Sequence, residues 1–140
     1  MKTKLFLLFL FISLTVSAVF ADAFVPEFNT MQKLRCDFEE IIYNSNNSIV
    51  TKNKQFRVFM IDEPYKKIYL QKQPIFKVTY FEVDKIEFDF QSMTDDFIMM
   101  SHVVINRAKG EYSSVGEITY DNPVFGTRHS KSHGICKIVN

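Results

Sequence analysis

The stretch Lys85-Ile86-Glu87-Phe88-Asp89-Phe90-Gln91 decides the fold class. Ile86, Phe88 and Phe90 alternate strictly with Lys85, Glu87, Asp89 and Gln91. A strand sends successive side chains to opposite faces, so the three apolar residues line one side; a helix would scatter them around its circumference. The pattern predicts a half-buried strand, and the segments on either side read the same way.

Toward the C-terminus, Ser92 to Asp96 is a turn and Phe97 to Arg107 a strand with apolar residues on both faces. Ala108-Lys109-Gly110 suits a three-residue hairpin loop with Gly110 in the left-handed position. Tyr112 to Thr119 is the returning strand, Asp121-Asn122-Pro123 and Gly126 mark a longer loop, and Thr127 to His133 reads as its polar continuation. Gly134 to Val139, carrying Cys136, is the last strand. Toward the N-terminus, Ile75 to Val83 and Ile68 to Gln71 are strands separated by a break at Gln73-Pro74. Phe56 to Ile61 has apolar residues on both faces, which predicts a central strand, and Glu63-Pro64 ends it. Lys52-Asn53-Lys54 and Asn44 to Ser48 read as turns. Leu34, Cys36 and Phe38 alternate with Arg35 and Asp37, although a helix over Gln32 to Tyr43 stays open.

The expectation is an all-β domain of about eight strands in one antiparallel meander, closed or nearly closed into a small barrel, with a β-sandwich as the alternative. A barrel of this size has room for side chains or one small ligand.

A leader precedes this body. Lys2 and Lys4 stand before an unbroken apolar run from Leu5 to Ile12, and Val19-Phe20-Ala21 comes before Asp22. A basic start, a short apolar run and small or aliphatic residues before the cut make residues 1–21 a secretory signal. Cleavage follows Ala21 or Ala23, or the segment stays as an uncleaved anchor; the run is short for a spanning helix. Residues 22–32 are then a lead-in and residues 33–140 a single β-domain. The expected location is periplasmic or extracellular, with membrane contact only through the signal before cleavage.

Without residues 1–21 the chain holds fifteen Lys plus Arg against sixteen Asp plus Glu. That near-neutral balance gives no field to draw nucleic acid. Arg57 groups with Lys52 and Lys54 around the expected turn. The two cysteines, Cys36 and Cys136, bracket the domain, and in an oxidising compartment they read as a disulfide. Such a bond requires Cα atoms within about 7 Å, so the first and last strands must lie side by side.

Chemistry-bearing clusters are few. His129, His133 and Cys136 have soft-metal residue types, but the loop expected there has no helical pattern to converge them, and no metal is expected. Glu39-Glu40 and Asp95-Asp96 are adjacent pairs, whose members a strand points apart. No glycine-flanked nucleophile and no phosphate loop occur in the sequence, and no cofactor is expected. His102 sits in an apolar stretch as an ordinary strand histidine. Met93, Met99 and Met100 with Phe97 are core fillers or an adaptable patch. Asn46-Asn47-Ser48 matches a glycosylation acceptor, meaningful only in a eukaryotic secretory path.

Val104-Ile105-Asn106-Arg107-Ala108-Lys109-Gly110-Glu111-Tyr112, followed by Gly134-Ile135-Cys136, resembles a group of small exported bacterial proteins of unknown function. These pair an I-N/D-R-x-x-G-x-Y/F hairpin with a late G-x-C and look like β-barrel or sandwich domains. The resemblance implies an envelope setting, with Arg107 holding the hairpin, and no activity. The functional expectation is a non-catalytic domain binding a small apolar ligand through Phe56, Phe76, Phe88, Phe90 and Phe97. The alternative is an envelope structural or protein-interaction module, with an envelope protein as partner.

Overall fold

The computed structural model describes residues 27–75 and 77–140. The expected signal, its cleavage site and Phe76 therefore lie outside the described residues. Among the described residues nine strands follow one another: β1 (Gln32–Tyr43), β2 (Ile49–Asp62), β3 (Lys67–Leu70), β4 (Gln73–Pro74), β5 (Lys77–Phe81), β6 (Lys85–Met93), β7 (Phe97–Asn106), β8 (Glu111–Tyr120) and β9 (Thr127–Val139). All pairings are antiparallel, in one sheet ordered β4-β3-β2-β1-β9-β8-β7-β6-β5. This is a meander whose first and last strands pair, from Lys33–Val139 to Tyr43–His129. The sheet instead opens between β4 and β5, and it is curled into a half-barrel. Pro74 and Lys77 are three residues apart, a span of at most about 11 Å, so the chain itself holds the two sheet edges close.

The sheet is single, which replaces the sandwich alternative. Gln32 to Tyr43 is strand, not helix, with Leu34, Cys36, Phe38 and Glu40 buried at every second position. Two expectations are corrected by length. β2 runs through Lys52-Asn53-Lys54 without turning, because these residues pair in register with Glu39, Glu40 and Ile41 of β1. β9 runs through Thr127 to His133, where a loop was expected, because both neighbours supply ladder partners. The break at Gln73-Pro74 is a two-residue edge strand, a position at which proline costs no ladder bond.

Turn chemistry fixes the registers. Asn44 Oδ1 accepts from the Asn46 and Ser48 amides at the β1–β2 turn, with Asn47 in the left-handed region. Gln71 and Lys72 both have positive φ, as a two-residue hairpin turn of the primed type requires. Gly110 has φ +67°, and its carbonyl accepts from the Cys136 amide at 2.8 Å.

The inside of the half-barrel is divided along its axis. At the end where β1 begins, the wall is completed by β3, β4 and β5. There Leu34, Cys36, Phe38, Phe59, Ile61, Ile68, Phe81, Ile86, Phe88, Val103, Ile105 and Tyr112 form the core. At the other end β3 and β5 have stopped: β3 pairs with β2 only over Phe59 to Asp62, and β5 reaches only Asp89 of β6. The inward positions there are Ser101, Ser114, Gly116, Ser130 and Ser132, with Glu40 and Gln55. Apolar residues line the interior where the wall is whole and small polar ones where it is open, as solvent access dictates.

The Phe38 and Tyr112 rings stack at 4.5 Å. Gly134 lies between them in the ladder, and a Cβ there would meet the Asp37 carbonyl at 2.1 Å and Phe38 Cβ at 2.5 Å. Only glycine fits under this ring pair. Arg107 closes the completed end: its guanidinium donates to the Glu63 carboxylate after β2, to Gln32 Oε1 of β1 at 3.1 Å, and to the Glu82 carbonyl after β5 at 3.4 Å.

Candidate functional site

A cavity of about 690 Å³ opens where the wall ends. Leu70, Pro74 and Ile75 border it on one side of the seam; Lys77, Phe90, Ser101 and His102 border it on the other. Its position follows from strand length. β3 is short because the primed turn at Gln71-Lys72 sends the chain back after four residues into the two-residue β4, and β5 begins only at Lys77. Among the described residues the β5–β6 pairing ends at Lys77 and Asp89, and Phe90 faces inward beyond it.

Arg57 reaches across this gap. It lies on the inward face of β2, and its guanidinium carbon is 5.1 Å from the Phe90 ring centre and 5.2 Å from that of Phe38. Nη1 donates to the Tyr112 hydroxyl at 3.0 Å. Among the described residues Arg57 makes no ion pair. Burial pushes the Tyr112 phenol above its ordinary value, and the Arg57 charge opposes that rise. Glu40, buried two strands from Tyr112, accepts from Gln55 Nε2 at 3.0 Å. The Ser132 hydroxyl, inward on β9 between Glu40 and Ser114, is buried without a hydrogen-bond partner.

At the outer rim, His102 Nδ1 stands 2.8 Å from Asp89 Oδ1, and Lys77 pairs with the same carboxylate. The Lys77 hydrogen bond, and next the one from His102, hold the Asp89 carboxyl below its ordinary value.

The five phenylalanines of the sequence expectation are dispersed. Phe88 is fully buried in the core, and Phe90 lines the cavity two residues further along the same face. Phe56 points outward, 58% exposed under the Arg35 guanidinium. Phe97 packs on Tyr120 at the open end, and Phe76 lies outside the described residues. Arg57, grouped with the surface lysines in the sequence, is an inward-facing, half-buried residue. Its signal was present as one cation in the inward series Arg57, Phe59, Ile61. Leu70 and Ile75 carried no signal, since only the seam brings them to the site.

His129 and His133 point outward from β9, whereas Cys136 points inward and is bonded to Cys36, so the three do not converge. Among the described residues no group of three His, Cys, Asp or Glu could hold a metal ion. Glu39 faces out and Glu40 in; Asp95 and Asp96 sit in the β6–β7 turn. No helix among the described residues is long and apolar enough to cross a membrane. No family model matches the chain, and neither does any curated protein or solved structure.

Proposed function

We propose that this protein is an exported, non-catalytic binding domain that takes a small apolar ligand in the cavity at its open seam. The observation that carries the reading is the cavity itself. Its volume, about 690 Å³, falls in the range of small-molecule sites, and Leu70, Pro74, Ile75 and Phe90 give it apolar walls with a few polar groups at the rim. Export is supported by the apolar run after Lys2 and Lys4 and by a disulfide suited to an oxidising compartment.

The test is fluorescence titration with N-phenyl-1-naphthylamine, a neutral apolar probe. The expected result is saturable one-to-one enhancement that is lost in Leu70→Trp and in Ile75→Trp, which fill the cavity. A signal that does not saturate, or one unchanged by both fillings, contradicts the reading.

One observation favours a second reading, an envelope interaction module. No strand among the described residues covers the far edge of β2 from Ile49 to Val58. Cys36 and Cys136 form a non-hydrogen-bonded pair, since the Cys136 amide points away to Gly110. By alternation, Lys52, Lys54 and Phe56 then turn their backbone groups to the free edge, where a partner strand could add. Lys54→Pro removes one edge donor without touching the β1 ladder. An envelope protein that crosslinks to the parent chain and is lost in this folded variant supports the module; equal crosslinking contradicts it.

A further inference from the structure

We infer that the ligand of the seam cavity is an amphipathic carboxylate, whose tail lies against Leu70, Ile75 and Phe90 and whose acid group is received by Arg57. This inference rests on the cavity reading above and adds the chemical class of what is bound.

One inward-facing cation, Arg57, has no counter-ion among the described residues. An arginine facing the interior of a small domain is ordinarily paired with a carboxylate, because a desolvated charge is costly. Arg57 is half-buried, yet its guanidinium is held by two ring faces and one phenol hydroxyl, and no ion pair reaches it among the described residues. The nearest inward acid on β1, Glu40, is four ladder positions away and is engaged with Gln55. Of the five N–H groups of a guanidinium, one donates to Tyr112, which leaves donors for a carboxylate.

The second element is position. Phe90 lines the cavity and also lies under Arg57, so this inward-facing cation is one ring away from the apolar space. The ring faces of Phe38 and Phe90 fix the guanidinium plane before any ligand arrives, which reduces the ordering cost of binding. The outer rim has the opposite character: Asp89 already holds Lys77 and His102 and offers no free cation. A ligand with its acid group inward and its chain at the seam fits both ends.

The test compares decanoate with 1-decanol, equal in chain length, by isothermal titration of the disulfide-bonded protein at pH 7.5. The expected result is decanoate binding at least tenfold tighter than decanol. Arg57→Gln should abolish that preference while decanol affinity stays within twofold. Arg57→Lys should retain part of the preference through its charge, without the fork. Equal affinity for the two ligands, or an undiminished decanoate preference in a folded Arg57→Gln, overturns the inference and leaves the cavity reading standing. Failure of both ligands to bind overturns the cavity reading and the inference with it. Where Arg57→Gln does not fold, equal affinity of the parent for the two ligands still overturns the inference, and so does a decanoate preference left undiminished in Arg57→Lys.

Discussion

Cys36 and Cys136, one hundred residues apart in sequence, face each other across β1 and β9 with Cα atoms 3.9 Å apart and their sulfurs bonded. The bond joins the two strands through which the meander returns to its start. The sheet is therefore clamped opposite the place where it opens, and the seam between β4 and β5 is left without a covalent tie other than the chain itself.

This clamp should dominate stability. Closing a loop of about 100 residues is worth about 4.7 kcal/mol in the chain-entropy model, and removal of a native disulfide from a small domain costs about 2–5 kcal/mol. The double variant Cys36→Ser/Cys136→Ser should lose that much in urea titration relative to the oxidised parent. A loss below about 1 kcal/mol would mean that the β1–β9 ladder needs no help.

Gly134 should tolerate no side chain. An added methyl runs into backbone of β1 and into Phe38, neither of which can move without breaking the Phe38–Tyr112 stack. Gly134→Ala is expected to cost about 1–3 kcal/mol or more by thermal or urea unfolding, the range for overpacking a well-filled core. An unchanged midpoint would show that β9 can shift away from β1.

Arg107 ties three separate turns and strands at the completed end, and its side chain is only 14% exposed. Hydrogen bonds to charged groups contribute about 1.5–3 kcal/mol, so Arg107→Met should lose about 2–3 kcal/mol. Amide exchange should accelerate around Glu63 and Asp84. Arg107→Lys should recover little, because an ammonium cannot span three acceptors as the planar fork does. Parent-like stability in Arg107→Met would contradict this role.

Acid should act partly through Asp89. Its carboxyl is held below the ordinary value by Lys77 first and His102 second. A depressed folded value means the charged form is favoured by folding. The stabilisation is therefore present above the ordinary carboxylate value of about 3.9 and is lost as pH falls through the folded one. In Asp89→Asn the fall of melting temperature below about pH 5 should be shallower than in the parent, measured at low salt. Identical acid limbs would show that the ion pair carries no weight in solution.

The fold was legible wherever one face is apolar. Ile86, Phe88 and Phe90 against their charged neighbours leave only a strand reading, whereas Leu34, Cys36 and Phe38 against theirs left a helix open that the structure replaces with β1. The spacing and number of the cysteines led to the pairing of the chain ends. What stayed hidden is the open half. Ser130, Ser132 and Gly134 alternate with His129, Lys131 and His133 at the same period of two, but both sets are polar, so hydrophobicity says nothing there. The same holds for Thr51, Asn53 and Gln55 of β2. The candidate site was hidden for a different reason: Leu70 and Phe90 come from strands that meet only across the seam, and Arg57 of a third strand reaches the Phe90 ring beside the cavity.

The most direct test of the account is a map of where an apolar ligand sits. Amide and methyl resonances of the labelled, oxidised protein should be followed while decanoate is added. The account predicts saturable shifts concentrated at Leu70, Ile75, Phe90, Ser101 and Arg57, with the lower core around Ile61 and Ile105 unmoved. Shifts confined to the outer face around Phe56 and Ile135, or no saturable shifts at all, would contradict it.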